Sequence, residues 1–124
     1  MDDPIYTDTP DERLRELGAQ TKADVILCGH THQQFVREVN HQIYINPGSV
    51  GKPIDGDPRA GYCVLNIKKG SMTINHYRIE YDLEKTLAAM RQAGLAALFT
   101  RSLELSLGFD KVQAMLEETK PEVS

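Results

Sequence analysis

Apolar residues change their spacing along this chain, and each change predicts a different element. The first eight residues are polar and irregular. Thr9-Pro10-Asp11-Glu12 then reads as a helix start, with Thr9 as cap, Pro10 at the first helical position and Glu12 closing a capping box. Leu14 and Leu17 mark the buried face of a helix ending near Gln20. From Ala23 to Cys28 the apolar character is continuous instead of spaced, which predicts a buried strand. A helix followed by such a strand suggests an α/β layer, with the strand's C-terminal end pointing at a site. Two short β segments, Phe35–Val39 and Ile43–Ile45, are joined by an Asn40-His41 turn. Lys52 to Arg59 is dense in turn residues and is expected to be an exposed loop.

A second hairpin follows. Tyr62–Ile67 and Met72–Ile79 flank Lys68-Lys69-Gly70-Ser71. Thr73, Asn75, Tyr77, Ile79 and Tyr81 share one face of its second strand, and Met72, Ile74 and His76 share the other. Beyond Tyr81 the spacing turns helical. Asp82 caps a helix to about Met90 with Leu83, Leu87 and Met90 on one side, and Gly94 interrupts it. Further helices are expected over about Leu95–Leu107 and Asp110–Glu118, and the tail from Pro121 to Ser124 is expected to fray.

The composition changes this picture little. The chain has 124 residues, 40% hydrophobic and 26% charged, with a net charge of -4. That suits one modest domain with a core. Lys and Arg are scattered, so no basic stripe points to nucleic acid. No apolar run approaches the ~20 residues that span a membrane, and the acidic Met1-Asp2-Asp3-Pro4 start is not a signal peptide. The cytoplasm is the expected compartment. Cys28 and Cys63 fall in apolar β segments and read as buried thiols, not as a disulfide framework.

The candidate chemistry sits directly after the first strand, at Gly29-His30-Thr31-His32. Two imidazoles delivered from the loop at a strand's end are a common way to hold a metal ion. In extended chain side chains alternate with period two, so His30 and His32 are expected on one side, able to bind one metal or two adjacent ones. Thr31 can fix the loop through its hydroxyl. Taken alone, the triplet also fits two histidines in a polar surface loop. Cys28 shares their parity, but consecutive alternating ligands make poor tetrahedral geometry. Downstream, Asn46-Pro47-Gly48-Ser49-Val50-Gly51 reads as a rigid strand exit, Pro47 fixing φ and Gly48 permitting a positive one.

Together, Val25-Ile26-Leu27-Cys28-Gly29-His30-Thr31-His32 and Asn46-Pro47-Gly48-Ser49 resemble the last metal-binding motif of the calcineurin-like metallophosphoesterases. Leu14 to Tyr81 is similar to the last third of the small prokaryotic phosphodiesterases of that superfamily. The resemblance implies an α/β fold: the C-terminal half of a metallophosphoesterase β-sandwich flanked by helices, residues 1–81, with a C-terminal helical extension, residues 82–124. It implies that His30 ligates one ion of a dinuclear site and His32 the other, so that both are catalytic residues and metal ligands. Two ions about 3.5–4 Å apart activate a bridging water for in-line attack on phosphorus. Manganese is the first candidate, with iron, nickel or zinc as alternatives suited to imidazole. Asn46 and Ser49 would support a ligand histidine or a water.

The family's other ligand motifs, D-x-H, G-D-x-x-D, G-N-H-D/E and an isolated histidine, lie upstream of this one. None occurs here in that order. Gly56-Asp57 and Asn40-His41 resemble pieces of them but follow the His-Thr-His triplet, so Asp57 is read as a turn residue and His41 as an exposed hairpin tip. His76 is expected to be structural. The chain is expected to be the C-terminal part of a longer enzyme, starting just past the isolated histidine, or the product of an internal start codon.

The expected function is metal-dependent hydrolysis of a small phosphodiester or phosphomonoester, with no hydrolysis by this chain alone. The alternative is a non-catalytic scaffold, a use the same fold has in the retromer complex. Missing strands would leave an open sheet edge, so self-association is expected.

Overall fold

The computed structural model describes residues 3–120. The tail from Pro121 to Ser124, expected to fray, lies outside the described residues. Nine elements follow one another: α1 (Asp11–Gly18), β1 (Val25–Leu27), β2 (Gln34–Val39), β3 (Gln42–Pro47), β4 (Ala60–Lys68), β5 (Ser71–Ile79), α2 (Leu83–Gln92), α3 (Ala97–Leu105) and α4 (Phe109–Glu118). The α/β class expected from the sequence is the class observed. Contacts divide the chain into two compact units, Met1–Val50 with Gly61–Arg78, and Gly51–Ala60 with Ile79–Ser124.

In the first unit, β1, β3 and β2 form a mixed sheet in that order. β1 runs parallel to β3, with Val25 opposite Ile43 and Leu27 opposite Ile45. β2 and β3 are antiparallel, Gln34 facing Pro47 and Val39 facing Gln42. The turn between them is Asn40-His41, both at positive φ (52° and 65°), the backbone of a type I′ hairpin. The sheet buries Phe35, Val39 and Tyr44 against Leu14 and Leu17 of α1, and Ile5 joins this core. Tyr44 also donates its hydroxyl to the Leu14 carbonyl at 2.6 Å. The Gln42 carboxamide donates to Gly18 at 3.0 Å, tying the end of α1 to the start of β3.

The hairpin β4–β5 is a separate two-stranded sheet in the same unit. Its faces alternate as read from the sequence: Met72, Ile74 and His76 are half-buried, and Thr73, Asn75 and Tyr77 are exposed. Gln34 joins it to the mixed sheet. Its Nε2 lies 3.2 Å from the Pro47 carbonyl, 3.4 Å from that of Tyr62 and 3.1 Å from that of Tyr77, while its Oε1 accepts from Arg78 Nε at 3.0 Å.

In the second unit, Asp82 caps α2 by accepting from the Lys85 amide at 3.0 Å, as its position predicted. Leu87, Leu103 and Val112 are buried, one from each helix. Gly94, at φ 75°, separates α2 from α3, and Ser106 ends α3 in a left-handed conformation.

Three local expectations are corrected. The capping box does not form: Pro10 itself takes the cap position of α1 without a side-chain bond. The Thr9 hydroxyl accepts from the Tyr6 amide at 2.8 Å, closing a preceding turn. The first strand is not buried. Only Val25–Leu27 is strand, half-buried at best, and Leu27 is 65% exposed, because β3 pairs with one edge of β1 and no described strand pairs with the other. Finally, the Lys52–Arg59 loop is only partly exposed. Pro53 is fully buried, Lys52 lies 3.5 Å from the Phe109 ring centroid, and the Gly56 amide donates to Ser106 at 2.9 Å.

Candidate metal centre

The Gly29–His32 loop leaves the C-terminal end of β1 after the Cys28 amide has closed the ladder on the Ile45 carbonyl at 2.9 Å. Strand alternation does not govern the two histidines. His30 and His32 lie beyond the strand, and both adopt left-handed backbone, φ 72° and 59°. That conformation costs a non-glycine residue roughly 1–2 kcal/mol. It persists only where the surroundings over-determine it, which is commonest at functional sites.

Thr31, between them, supplies that determination. It is buried, and its hydroxyl donates to the Ile5 carbonyl at 3.0 Å while accepting from Asn46 Nδ2 at 3.1 Å. Its own amide donates to Gly29 at 2.9 Å. Asn46 is fully buried; its Nδ2 also reaches the Gly29 carbonyl at 3.4 Å, and its Oδ1 accepts from the Gly48 amide at 2.9 Å. Gly48, at φ 89°, makes the turn that brings its amide there. Asn46 was expected to support a ligand histidine or a water; its side-chain bonds go instead to Thr31 and Gly29 of the histidine loop and to Gly48. The carbonyl of the buried Ser49 accepts from the Gly61 amide at 2.8 Å.

His30 is exposed and His32 half-buried. His30 opens on a cavity of about 460 Å³ that also takes in Asp3, Ile5, Ile26 and Cys28. Among the described residues no three His, Cys, Asp or Glu side chains come together as a metal-holding group. The imidazoles suit a divalent transition ion, but two donors do not complete one coordination shell, let alone two. The described residues by themselves therefore do not fit the full dinuclear site.

The remaining candidates fall elsewhere. Asp57 is a turn residue, accepting from the Arg59 amide at 3.0 Å and pairing with its guanidinium at 2.8 Å. His41 is the exposed hairpin tip. Cys28 and Cys63 are free, half-buried thiols, and burial pushes both up from the ordinary thiol value. His76, read only as structural, places Nε2 3.1 Å from the main-chain oxygen of Asn46. No spacing rule flags that contact, because it joins strands 30 residues apart.

Residues 5–70 match the calcineurin-like phosphoesterase superfamily domain, more than half of the chain. The chain belongs to that superfamily, whose chemistry is metal-dependent phosphoester hydrolysis. A protein of Methanothermobacter thermautotrophicus named as a probable metallophosphoesterase is 43% identical over 54 residues, 44% of this chain and 31% of that protein. A metallophosphoesterase structure from Sphaerobacter thermophilus superposes with a TM-score of 0.65 at 28% identity, covering 85% of this chain and 51% of that one. A hypothetical protein of Pyrococcus horikoshii shares the fold at 15% identity, with a TM-score of 0.70 over 83% of this chain and 40% of its own. This chain thus spans about a third of the Methanothermobacter relative and about half and two fifths of the two solved chains.

Proposed function

We propose that this chain is the His-Thr-His part of a metal-dependent phosphoesterase acting on a small phosphodiester or phosphomonoester. His30 and His32 each ligate one of two divalent ions, manganese first among the candidates and iron, nickel or zinc behind it. The observation that carries this reading is the left-handed backbone of both histidines, held by the buried Thr31–Asn46 pair. Two strained residues of the type that binds metals, one on each side of Thr31, argue for a site over an ordinary surface loop. Further donors are needed for turnover, so hydrolysis is proposed only where additional polypeptide supplies them. The cytoplasm is the proposed compartment, supported by two unpaired thiols. No described helix is long and apolar enough to cross a membrane.

Paramagnetic broadening by Mn2+ in NMR spectra of this chain tests the reading. Broadening centred on Gly29–His32, and lost in the double variant His30→Ala/His32→Ala, is the expected result. Broadening centred elsewhere, or unchanged in the variant, overturns it.

A scaffold role is the second reading. The outer face of the β4–β5 hairpin favours it, where Tyr62 and Tyr77 stack at 5.0 Å and remain, with Val64, about 40% exposed. Self-association is also proposed, through the unpaired edge of β1, which carries no charge from Val25 to Leu27.

A further inference from the structure

Three contacts tie the end of β3 and the turn after it to the β4–β5 hairpin, two directly and one through Gln34 of β2. His76 Nε2 meets the carbonyl of Asn46 at 3.1 Å, Gln34, itself bonded to both hairpin strands, donates to that of Pro47 at 3.2 Å, and the Gly61 amide donates to that of Ser49 at 2.8 Å. Of these, only His76 acts on the residue whose side chain also ties down the histidine loop. The Asn46 side chain is committed on both ends: Nδ2 to Thr31 and Gly29, Oδ1 to Gly48. Its position along β3 therefore sets where Thr31 sits, and Thr31 lies between the two left-handed histidines.

We propose that His76 is a positioning residue for the His30-Thr31-His32 loop, acting through Asn46. A carbonyl can only accept, so Nε2 must carry the proton. His76 reaches Asn46 from the inner face of β5, alongside Met72 and Ile74, where it is half-buried and partly shielded from competing water. Its Nε2–H steadies the end of β3, Asn46 transmits that constraint to Thr31 and Gly29, and the strained turns on either side of Thr31 are held. The functional meaning rests on the metal-loop reading above, but the contact and its test need no metal.

Amide hydrogen exchange of this chain reads the effect directly. His76→Leu keeps bulk and removes the donor; His76→Gln keeps a donor near the position of Nε2. In the leucine variant the Thr31 and Gly48 amides are expected to exchange about tenfold faster, the consequence of one lost hydrogen bond. The β2–β3 ladder should change by less than about threefold, and the glutamine variant should return the loop amides to near their original rates. Unchanged loop amides, equal acceleration everywhere, or no recovery with glutamine overturns the proposal; equal acceleration would mean a merely structural residue. Should the leucine variant not fold, nitrogen-15 spectra of the unaltered ring decide: Nε2–H is expected, and an Nδ1–H tautomer overturns the assignment. The Mn2+ titration stands apart, so the metal reading can fail while the positioning role survives, and the reverse.

Discussion

Five non-glycine residues adopt left-handed backbone among the described residues: His30, His32, Asn40, His41 and Ser106. They divide by what holds them. His30 and His32 flank a buried threonine locked on both sides, whereas His41 is an exposed residue in a two-residue turn that glycine would fill more cheaply. His41→Gly should therefore stabilise the chain. Removing the left-handed penalty, less the greater freedom glycine has when unfolded, leaves a gain of about 0.5–1 kcal/mol. Urea denaturation would show a higher midpoint at unchanged slope. A lower midpoint would mean that His41 contributes contacts the turn needs.

Elements differ in how far their own residues determine them. Both hairpins were legible, because a two-residue turn and its flanking alternation are local. The α2 cap was legible for the same reason. The start of α1 was not: Thr9 has two amides within reach, one in the helix ahead and one in the turn behind, and the Tyr6 turn captured its hydroxyl. A continuous apolar run likewise signals a covered strand, yet cover depends on neighbours, and among the described residues β1 has a strand neighbour on one edge only. The histidine pair was legible as a motif and illegible as geometry, since strand alternation does not foretell the positive φ of both residues. Packing between elements also imposes demands that spacing does not reveal. Gly18 ends α1 where a Cβ would collide with the Tyr44 hydroxyl and the Gln42 carboxamide. Gly18→Ala is expected to destabilise by about 1–3 kcal/mol, as overpacking does. Denaturation at equal slope measures it, and a neutral result would show that Gln42 and Tyr44 yield without cost.

For the whole molecule, the unpaired edge of β1 sets the first expectation. Charge, proline or a bulge usually blunts such an edge. Val25-Ile26-Leu27 has none of these, and beside it lies an apolar cavity of about 300 Å³ lined by Leu27, Cys28, Ile45, Cys63 and Leu65. Light scattering should find dimers or larger species whose share grows with concentration, and Leu27→Lys should shift them toward monomer. A monodisperse monomer of the unaltered chain would remove the self-association proposal. The same edge bears on the site, because the histidine loop leaves the C-terminal end of that very strand.

Asn46 ties the histidine loop in place, and the residue after it determines how it ages. Asparagine side chains are lost over time when the next residue's main-chain nitrogen attacks the carboxamide, closing a succinimide and expelling ammonia. Here the next residue is Pro47, whose nitrogen has no hydrogen to give up and is already fully substituted. An aspartate at 46 would turn the donor that meets Thr31 and Gly29 into an acceptor facing the Gly29 oxygen. The Asn-Pro order closes the usual chemical route to that failure, giving the loop's anchor a durability that its hydrogen bonds alone do not provide.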